Sequence, residues 1–362
     1  MNFVPPKYDN KSTEFFRALK AKTDNYFSKK GVERQGGFGM YFKTFFMVSA
    51  YLTPYFFIIF GEIKNPWIYT GLWAIMGLFM AGIGLSIMHD AIHGSYSKNK
   101  IVNLILGEVI NLVGGASINW KIQHNVLHHT YTNVDEFDED IDGPFFLRFS
   151  PNKKRIRLHK FQYLYAWFFY SLLTLNWAFY ADFDSLFRYK KKGLIKSSSK
   201  YSFAFHFSKT LILRLGYFAY MIVIPISFTD VSFVTVFLNF VLMHFIAGLI
   251  LSCIFQPAHV MECATYFDAK RGKEIPRDWA SHQVMNTVNF ATKNKLFTWF
   301  VGGLNHQVEH HLFPSICHIH YTQLSKIVKE TAEEFNLPYH NIPTFRSALW
   351  THMKMLKQLG RA

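Results

Sequence analysis

Histidine is the residue type whose spacing in this sequence points most clearly to chemistry. The chain of 362 residues contains 17 histidines. Three groups of them have short, regular spacing: HDAIH (His89, His93), HNVLHH (His124, His128, His129) and QVEHH (Gln307, His310, His311). Residues four apart lie on one face of a helix, so two imidazoles can converge on one ion. One such pair is often structural, but three groups in one chain predict a metal site.

A fourth element, FQPAH, follows the last long apolar segment and contains Gln256 and His259. If that segment crosses a membrane, both residues lie at the same membrane face and depth as the other histidine groups. A single histidine in this position is more often structural. Beside three histidine groups, however, we expect His259 to be a ligand. His306 directly precedes QVEHH and falls outside its spacing, so its role stays open.

The type of ligand only partly narrows the choice of metal. Imidazole suits iron, zinc, copper and nickel. The candidate histidines exceed what one four-coordinate zinc needs, so two metal ions are the natural count. Nearby acids are better placed to accept the second N–H of an imidazole than to bind metal; these are Asp90, Asp135, Asp138, Asp140 and Glu309. Asp138 and Asp140 can equally be read as solvated loop charges.

The elements that position these residues are predicted to lie in a membrane. Half of the residues are hydrophobic, with long apolar runs beside a net charge of +15. A helix needs about 20 apolar residues to cross the bilayer core. Four segments come close to that length: 41–60, 67–88, 211–228 and 231–255. Lys43 and Arg214 lie near the starts of two segments, where we expect their side chains to snorkel outward.

The distribution of charge predicts how the segments are arranged. The turns inside each pair of segments are short and nearly neutral, whereas the other connections contain clusters such as 153–157 and 188–192. The positive-inside rule then gives two hairpins, with both termini and the histidine groups on the cytoplasmic face. A further apolar stretch, 161–180, would put the histidine groups on opposite faces if it crossed, so we interpret it as an interfacial or re-entrant helix. Segment 101–118 is expected to lie against the protein or the membrane surface.

Taken together, these features predict one all-α integral membrane domain over residues 1–362. Its expected parts are four transmembrane helices in two hairpins, interfacial helices, and a cytosolic helical cap that holds the two metals. Residues 1–40 and 321–362 are the polar terminal segments of this domain. The dispersed positive charge suits an anionic membrane surface, and no motif indicates nucleic acid. Three cysteines are too few for a disulfide framework, which favours a reducing compartment.

The three histidine groups, in this order and with two apolar segments between the last two, resemble the histidine boxes of membrane fatty acid desaturases. GGLNHQVEHHLFP, residues 302–314, is similar to the third box of front-end and linoleoyl-CoA-type desaturases, where glutamine replaces the first histidine. QHNVLHHTYTN, residues 123–133, is similar to their second box. The resemblance covers residues from about 40 to 320.

This resemblance implies an O2-dependent oxidoreductase that places a cis double bond in a CoA-linked or lipid-linked acyl chain. It also implies two non-haem irons bound by histidines, namely His89, His93, His124, His128, His129, His259, His310 and His311. Gln307 would replace a histidine, directly or through water. Many front-end desaturases contain a fused cytochrome b5 domain with an HPGG motif, which this sequence lacks. Its electrons would then come from a separate ferredoxin or cytochrome b5.

Two alternatives stay open at this point. A lipid hydroxylase or ketolase can use the same histidine boxes, because the same oxidant can deliver oxygen to carbon. A histidine-rich metal transporter is a more distant alternative, and it predicts ligands inside the membrane segments rather than at their ends.

Overall fold

The computed structural model describes residues 5–9, 13–195, 202–269 and 274–362. Residues 1–4 and 10–12 of the predicted polar N-terminal segment therefore lie outside the described residues. The described chain is mostly helical. Two pairs of short parallel strands interrupt the predicted all-α pattern, as described below.

Among the described residues, four helices are long and apolar enough to cross a membrane: Phe38–Phe60, Pro66–Ile92, Phe203–Phe228 and Phe233–His259. We refer to them as the first to fourth spans. The first three contain the predicted segments and the fourth overlaps its segment from residue 233 onward, so the count of four is confirmed. The third span begins eight residues before its prediction, because the polar residues near its start do not break the helix.

Local sequence explains where several spans begin. Asn65 caps the second span with its side-chain oxygen, which accepts from the backbone N–H groups of Trp67 and Ile68, and Pro66 occupies the first turn. Ser232 caps the fourth span in the same way. These residues satisfy N–H groups that a helix start leaves without a partner.

The fourth span packs along the second span and along the helices that follow residue 161. Gly77 of the second span faces the backbone of the fourth, where an added Cβ would lie 2.5 Å from the carbonyl oxygen of Met243. Gly248 of the fourth span is equally close to the carbonyl oxygen of Ser171. A larger residue at either position would force the helices apart, because backbone atoms cannot move aside cheaply.

The expectation that Lys43 and Arg214 snorkel outward is wrong. Both side chains are buried, with Lys43 only 1% exposed. Arg214 pairs with Asp182 at 2.6 Å and donates to the carbonyl oxygen of Trp177. A buried cation is stable only with such partners, and these lie far away in the sequence.

The apolar stretch 161–180 does not form one long helix. It divides into an α-helix at Gln162–Ser171, a short turn of helix at Leu173–Asn176 and a π-helical segment at Trp177–Ala181. It is not among the candidate spans, as predicted. The segment predicted at 101–118 forms part of a pair, Lys100–Val113 and Ser117–His128, whose helices bend by 114°. Such a bend is that of a broken span or a re-entrant loop.

The flanking segments fold back onto the rest of the chain. Strand Lys7–Tyr8 pairs with Glu274–Ile275, and Asn289–Phe290 pairs with Asn341–Ile342, both in parallel. Helix Glu14–Lys30 packs against helix Tyr321–Glu334, and the C-terminal helix Phe345–Leu359 packs against the fourth span. The remaining helices are Asp182–Lys191, Trp279–Asn286, Lys295–Phe300 and Gln307–Leu312, with 3-10 turns at Arg157–Phe161 and His318–His320.

Candidate metal centre

The histidine groups lie where spans end and short helices begin. His89 and His93 stand one α-helical turn apart at the end of the second span, joined by a hydrogen bond from the His93 N–H to the His89 carbonyl. His259 is the last residue of the fourth span. His310 and His311 lie on the helix Gln307–Leu312. The fold therefore gathers residues that are up to 222 positions apart in the sequence.

The second histidine group adopts a local geometry that its four-residue spacing does not predict. Lys121–His128 is a π-helix, in which backbone bonds join residues five apart. The His129 N–H accordingly donates to the His124 carbonyl, and the Nε2 atoms of these two residues are 3.2 Å apart. His124 thus faces His129, while His128 lies between His259 and His311.

All eight predicted ligands come together in two adjoining groups. In the first group the candidate nitrogen atoms lie within 4.8 Å of one another, and its members are His89, His93, His124 and His310. The second group meets the same limit with His128, His259 and His311. His129 adjoins both, since it forms a further set with His310 and His311.

The nitrogen atoms are close enough together to share metal ions. Nε2 of His89 lies 3.0 Å from Nε2 of His124, and Nε2 of His129 lies 2.9 Å from Nε2 of His310. Adjacent nitrogens on one metal, each about 2.0–2.1 Å from it, have separations of this order. Among the predicted ligands, His93, His259 and His311 have buried Nε2 atoms without a hydrogen-bond partner in the described part of the chain. A metal ion could bind these nitrogen atoms through their lone pairs, so the residues fit a pair of metal ions.

Electrostatics keep most of these imidazoles neutral, the form that binds metal. Burial, aided by neighbouring imidazoles, lowers the pKa well below the usual value for His93, His124, His129, His310 and His311. His128 differs. Burial lowers its pKa, but Asp138 and Asp140 more than compensate and raise the pKa to about 9.

Hydrogen bonds at Nδ1 orient the second group. His128 donates from Nδ1 to Asp138 at 2.9 Å, as predicted for an orienting acid. His259 donates to the carbonyl oxygen of Asn286 at 3.2 Å, and His311 donates to the side-chain oxygen of Gln283 at 2.9 Å. Sequence reasoning missed Gln283 and Asn286. Both lie on the helix Trp279–Asn286, and the sequence contains no distinctive signal for either.

The other predicted residues divide between the site and its surroundings. Gln307 lies beside His259 and donates to the carbonyl oxygen of Leu304 at 2.8 Å, which leaves its amide oxygen for a metal or a water. Asp90 faces His89, with 3.8 Å between a carboxylate oxygen and Nδ1. Gln256 contacts the backbone of Asp140 at 3.1 Å.

Three predicted residues lie outside the ligand groups. Glu309 accepts from the side chains of Asn289 and Tyr339 at 2.8 and 2.9 Å, so it holds these side chains rather than an imidazole of either group. His306 is buried 3.6 Å from Glu309 and belongs to neither group. Asp135 accepts from Asn152.

A cavity of about 660 Å³ adjoins the histidines, and His124 forms part of its wall. Much of its lining is apolar or aromatic, including Trp120, Trp177 and Phe255. A polar edge lies close to the histidines at Gln123, Asp140 and Gln256, and other parts of the wall are polar as well, at residues such as Glu139 and Arg188. Several of the wall residues also line a small apolar recess among the spans, which ends at Met80, Gly84, Met88 and Leu251.

Comparison with known proteins identifies the family to which the chain belongs. The fatty acid desaturase family model matches residues 65–343. The chain belongs to the fatty acid desaturase family. It is 33% identical to the sn-1 linoleoyl-lipid 6-desaturase of Synechocystis, over 96% of both chains. It is 34% identical to the acyl-lipid (8-3)-desaturase of Physcomitrium patens, over 97% of this chain and 73% of that protein. A probable Delta(5) fatty acid desaturase C of Dictyostelium discoideum is 30% identical over 98% of this chain. This desaturase is therefore an oxidoreductase that acts on fatty acids.

Proposed function

We propose that the protein is a front-end acyl desaturase, which uses O2 and two electrons to form a cis double bond between an existing double bond and the acyl carbonyl. One observation carries the proposal. Two adjoining histidine groups stand beside a largely apolar cavity, and His124 belongs to both the histidine groups and the cavity wall. An acyl chain in that cavity would pass directly beside the metals.

The cavity has the size and lining that such a substrate needs. Its volume of about 660 Å³ lies within the range of about 300–1,000 Å³ that is usual for ligand sites. Burial of each methylene contributes about 0.8 kcal/mol, so the apolar wall can hold the chain without specific polar contacts. Its recess between the second and fourth spans would receive the methyl end.

The position of the polar edge supports front-end chemistry. Gln123 and Asp140 line the cavity next to His124 and His128, and the carboxylate of Asp140 is 3.2 Å from Nδ1 of His128. The ester or thioester is the only strongly polar part of an acyl substrate near its chain. A polar edge so close to the metals would place the carbonyl a few carbons from the reacting methylenes. The similarity to relatives named for 6- and Delta(5)-desaturation agrees with this placement.

We propose that the two metals are iron, because the family and the all-nitrogen donor set suit an oxygen-activating centre. When bound, such a pair supplies an oxidant able to remove hydrogen from an unactivated methylene. The chain itself positions the imidazoles through Asp138, Asn286 and Gln283. It also excludes water, since all eight histidines except His93 are at most 5% exposed. The apolar walls hold the methylenes beside the centre.

We further propose the membrane arrangement that the charges predict. The short connections at 61–65 and 229–232 would form the outer ends of two hairpins. Both termini and the metal-bearing helices would lie on the cytoplasmic face as a cap. An external ferredoxin or cytochrome b5 would dock there. The cluster 153–157 is the better basic surface for it: Lys153 pairs with Asp142 there, whereas both Arg188 and Lys192 of the second cluster pair with acids.

Expression in a host that lacks the activity tests the proposal. With iron and an electron donor supplied, mass spectrometry of fatty acid methyl esters should show new double bonds on the carboxyl side of existing ones. His124→Ala should abolish them. His340→Ala is the matched control and should retain them, because His340 lies outside both histidine groups. An unchanged wild-type profile would contradict the proposal, and hydroxylated or ketonic products would favour the alternative oxygenase.

A further inference from the structure

Lys43 is buried in the first span, beside the metal centre but not in contact with it. Its ammonium group donates to the carbonyl oxygen of Trp299 and lies 3.0 Å from Nε2 of His318. The ring of Trp299 is 5.1 Å away, within the range of a cation–π contact. A lysine ammonium can only donate hydrogen bonds, so Nε2 of His318 must accept and its proton must reside on Nδ1.

His318 passes this constraint on to Asp90. Nδ1 of His318 lies 2.7 Å from a carboxylate oxygen of Asp90, and the thiol of Cys317 donates to the same oxygen at 3.1 Å. With its proton on Nδ1, His318 donates to that oxygen. The second carboxylate oxygen then faces Nδ1 of His89 at 3.8 Å. That nitrogen is buried and has no hydrogen-bond partner among the described residues.

The chain of contacts therefore ends on a histidine of the first group. An acid facing Nδ1 favours the imidazole with its proton there and its lone pair on Nε2. Nε2 of His89 is the atom that meets Nε2 of His124. The first group has few other supports of this kind. Nδ1 of His310 meets Tyr321 at a long 3.3 Å, and Nδ1 of His129, which adjoins both groups, has no partner among the described residues.

Asp90, Cys317 and His318 could by their spacing hold a metal ion themselves. Lys43 argues against that interpretation, because a metal there would lie beside a fixed positive charge that already neutralises Asp90. The cluster is better explained as a buried ion pair relayed through one imidazole.

We propose that Lys43 is a positioning residue for the metal centre, which acts by fixing the tautomer of His318 and, through Asp90, the orientation of His89. The inference rests on the proposed function in assuming that the first histidine group binds iron. It assigns to Lys43 and His318 a role in metal affinity that is separate from substrate binding.

Anaerobic titration of the metal-free, detergent-purified full chain with Fe2+ tests the proposal without any turnover. The wild type should bind two ions. Lys43→Met should weaken one of the two by about tenfold or more, the usual effect of losing an outer-shell partner. Lys209→Met is the matched control, since Lys209 also lies in a span but pairs with Glu108, away from the histidines. It should bind both ions as the wild type does.

The His318→Asn background separates positioning from general damage. The asparagine amide can donate to Asp90 whatever its other neighbour does, so Lys43→Met should cause no further loss of Fe2+ affinity there. His318→Leu, which cannot donate, should lose affinity as Lys43→Met does. If Lys43→Met does not yield monodisperse protein, His318→Leu and His318→Asn carry the test, because both leave the contact of Lys43 with the Trp299 carbonyl in place.

Three results would overturn the proposal. They are unchanged Fe2+ affinity in the lysine variant, an equal additional loss in the His318→Asn background, or three ions bound by the wild type. None depends on desaturation. A wild type that binds two Fe2+ ions but forms no double bonds would refute the proposed function and leave this inference intact.

Discussion

Gly84 offers the sharpest test of how the acyl chain lies. It lines the small apolar recess at the end of the cavity. The recess has a free volume of about 20 Å³. A Cβ added at Gly84 would be 3.7 Å from the nearest side-chain atom of Leu251, an ordinary contact. The Gly84→Ala substitution therefore fills the recess without strain, and alanine stabilises a helix relative to glycine by about 0.5–1 kcal/mol.

The size of the effect follows from the space removed. One methyl group occupies the place of about one substrate methylene, whose burial contributes about 0.8 kcal/mol. Since about 1.4 kcal/mol corresponds to tenfold, the preference for the longer of two acyl chains should fall about fourfold. The shorter chain, which does not reach the recess, should be used as before.

The assay is a competition in the expression host, fed equal amounts of two fatty acids that differ by two carbons. The ratio of their desaturated products is measured by mass spectrometry. Gly71→Ala is the matched control, because Gly71 lies on the same helix and has no atoms near its missing Cβ. An unchanged ratio in Gly84→Ala, or an equal decrease for both chains, would refute the placement of the methyl end in this recess.

Three further predictions concern stability and metal retention. Burial lowers the pKa of His352 to about 4, so its neutral form stabilises the fold above the unfolded pKa of about 6.5 and this contribution is lost as the pH falls toward 4. Thermal unfolding in detergent should show a loss of stability between about pH 7 and 5 that is about 2 kcal/mol smaller in His352→Gln than in the wild type, because the other buried histidines titrate in both proteins. Gln307→His should slow the loss of iron to a chelator by adding an imidazole beside the second group, and should cost about 1 kcal/mol of stability because the Leu304 carbonyl loses its donor. Arg214→Met should destabilise the fold by about 3–5 kcal/mol because it leaves Asp182 buried without its partner, and adding Asp182→Asn should recover most of that loss. Equal unfolding of the single and double variants would contradict the ion-pair argument.

The sequence predicts the spans well because crossing a membrane imposes a length and a composition that can be read locally. It predicts their ends less well. The third span begins early at Phe203, and Lys209 is accommodated there because Glu108 pairs with it at 2.8 Å. The buried position of Arg214 has the same kind of cause. Such pairings depend on residues about 30 to 100 positions away, which no local pattern reveals.

The histidine clusters show a similar division between what spacing can and cannot predict. Spacing identifies seven of the eight residues that the fold brings together, and the eighth, His259, is predicted from its place at the end of the last apolar segment. It does not give their partition, because the π-helical turn at Lys121–His128 sets His129 beside His124 and frees His128 for the other group. Orienting acids next to a cluster, such as Asp138, are visible in the sequence. Gln283 and Asn286 are not, since amides have no distinctive spacing.

The two histidine groups are supported unequally, and this asymmetry bears on how the centre is assembled. Every imidazole of the second group donates from Nδ1 to a fixed oxygen, of Asp138, Asn286 or Gln283. The first group depends instead on longer contacts and on a relay that begins at a lysine inside the first span. A ligand held by its own neighbours keeps its orientation when a distant helix shifts, whereas His89 keeps its orientation only while the first span is in place. Packing of the first span against the second would thus be coupled to metal affinity in the first group. The physical link is the buried ammonium group of Lys43, whose desolvation is costly unless its partners stay in place.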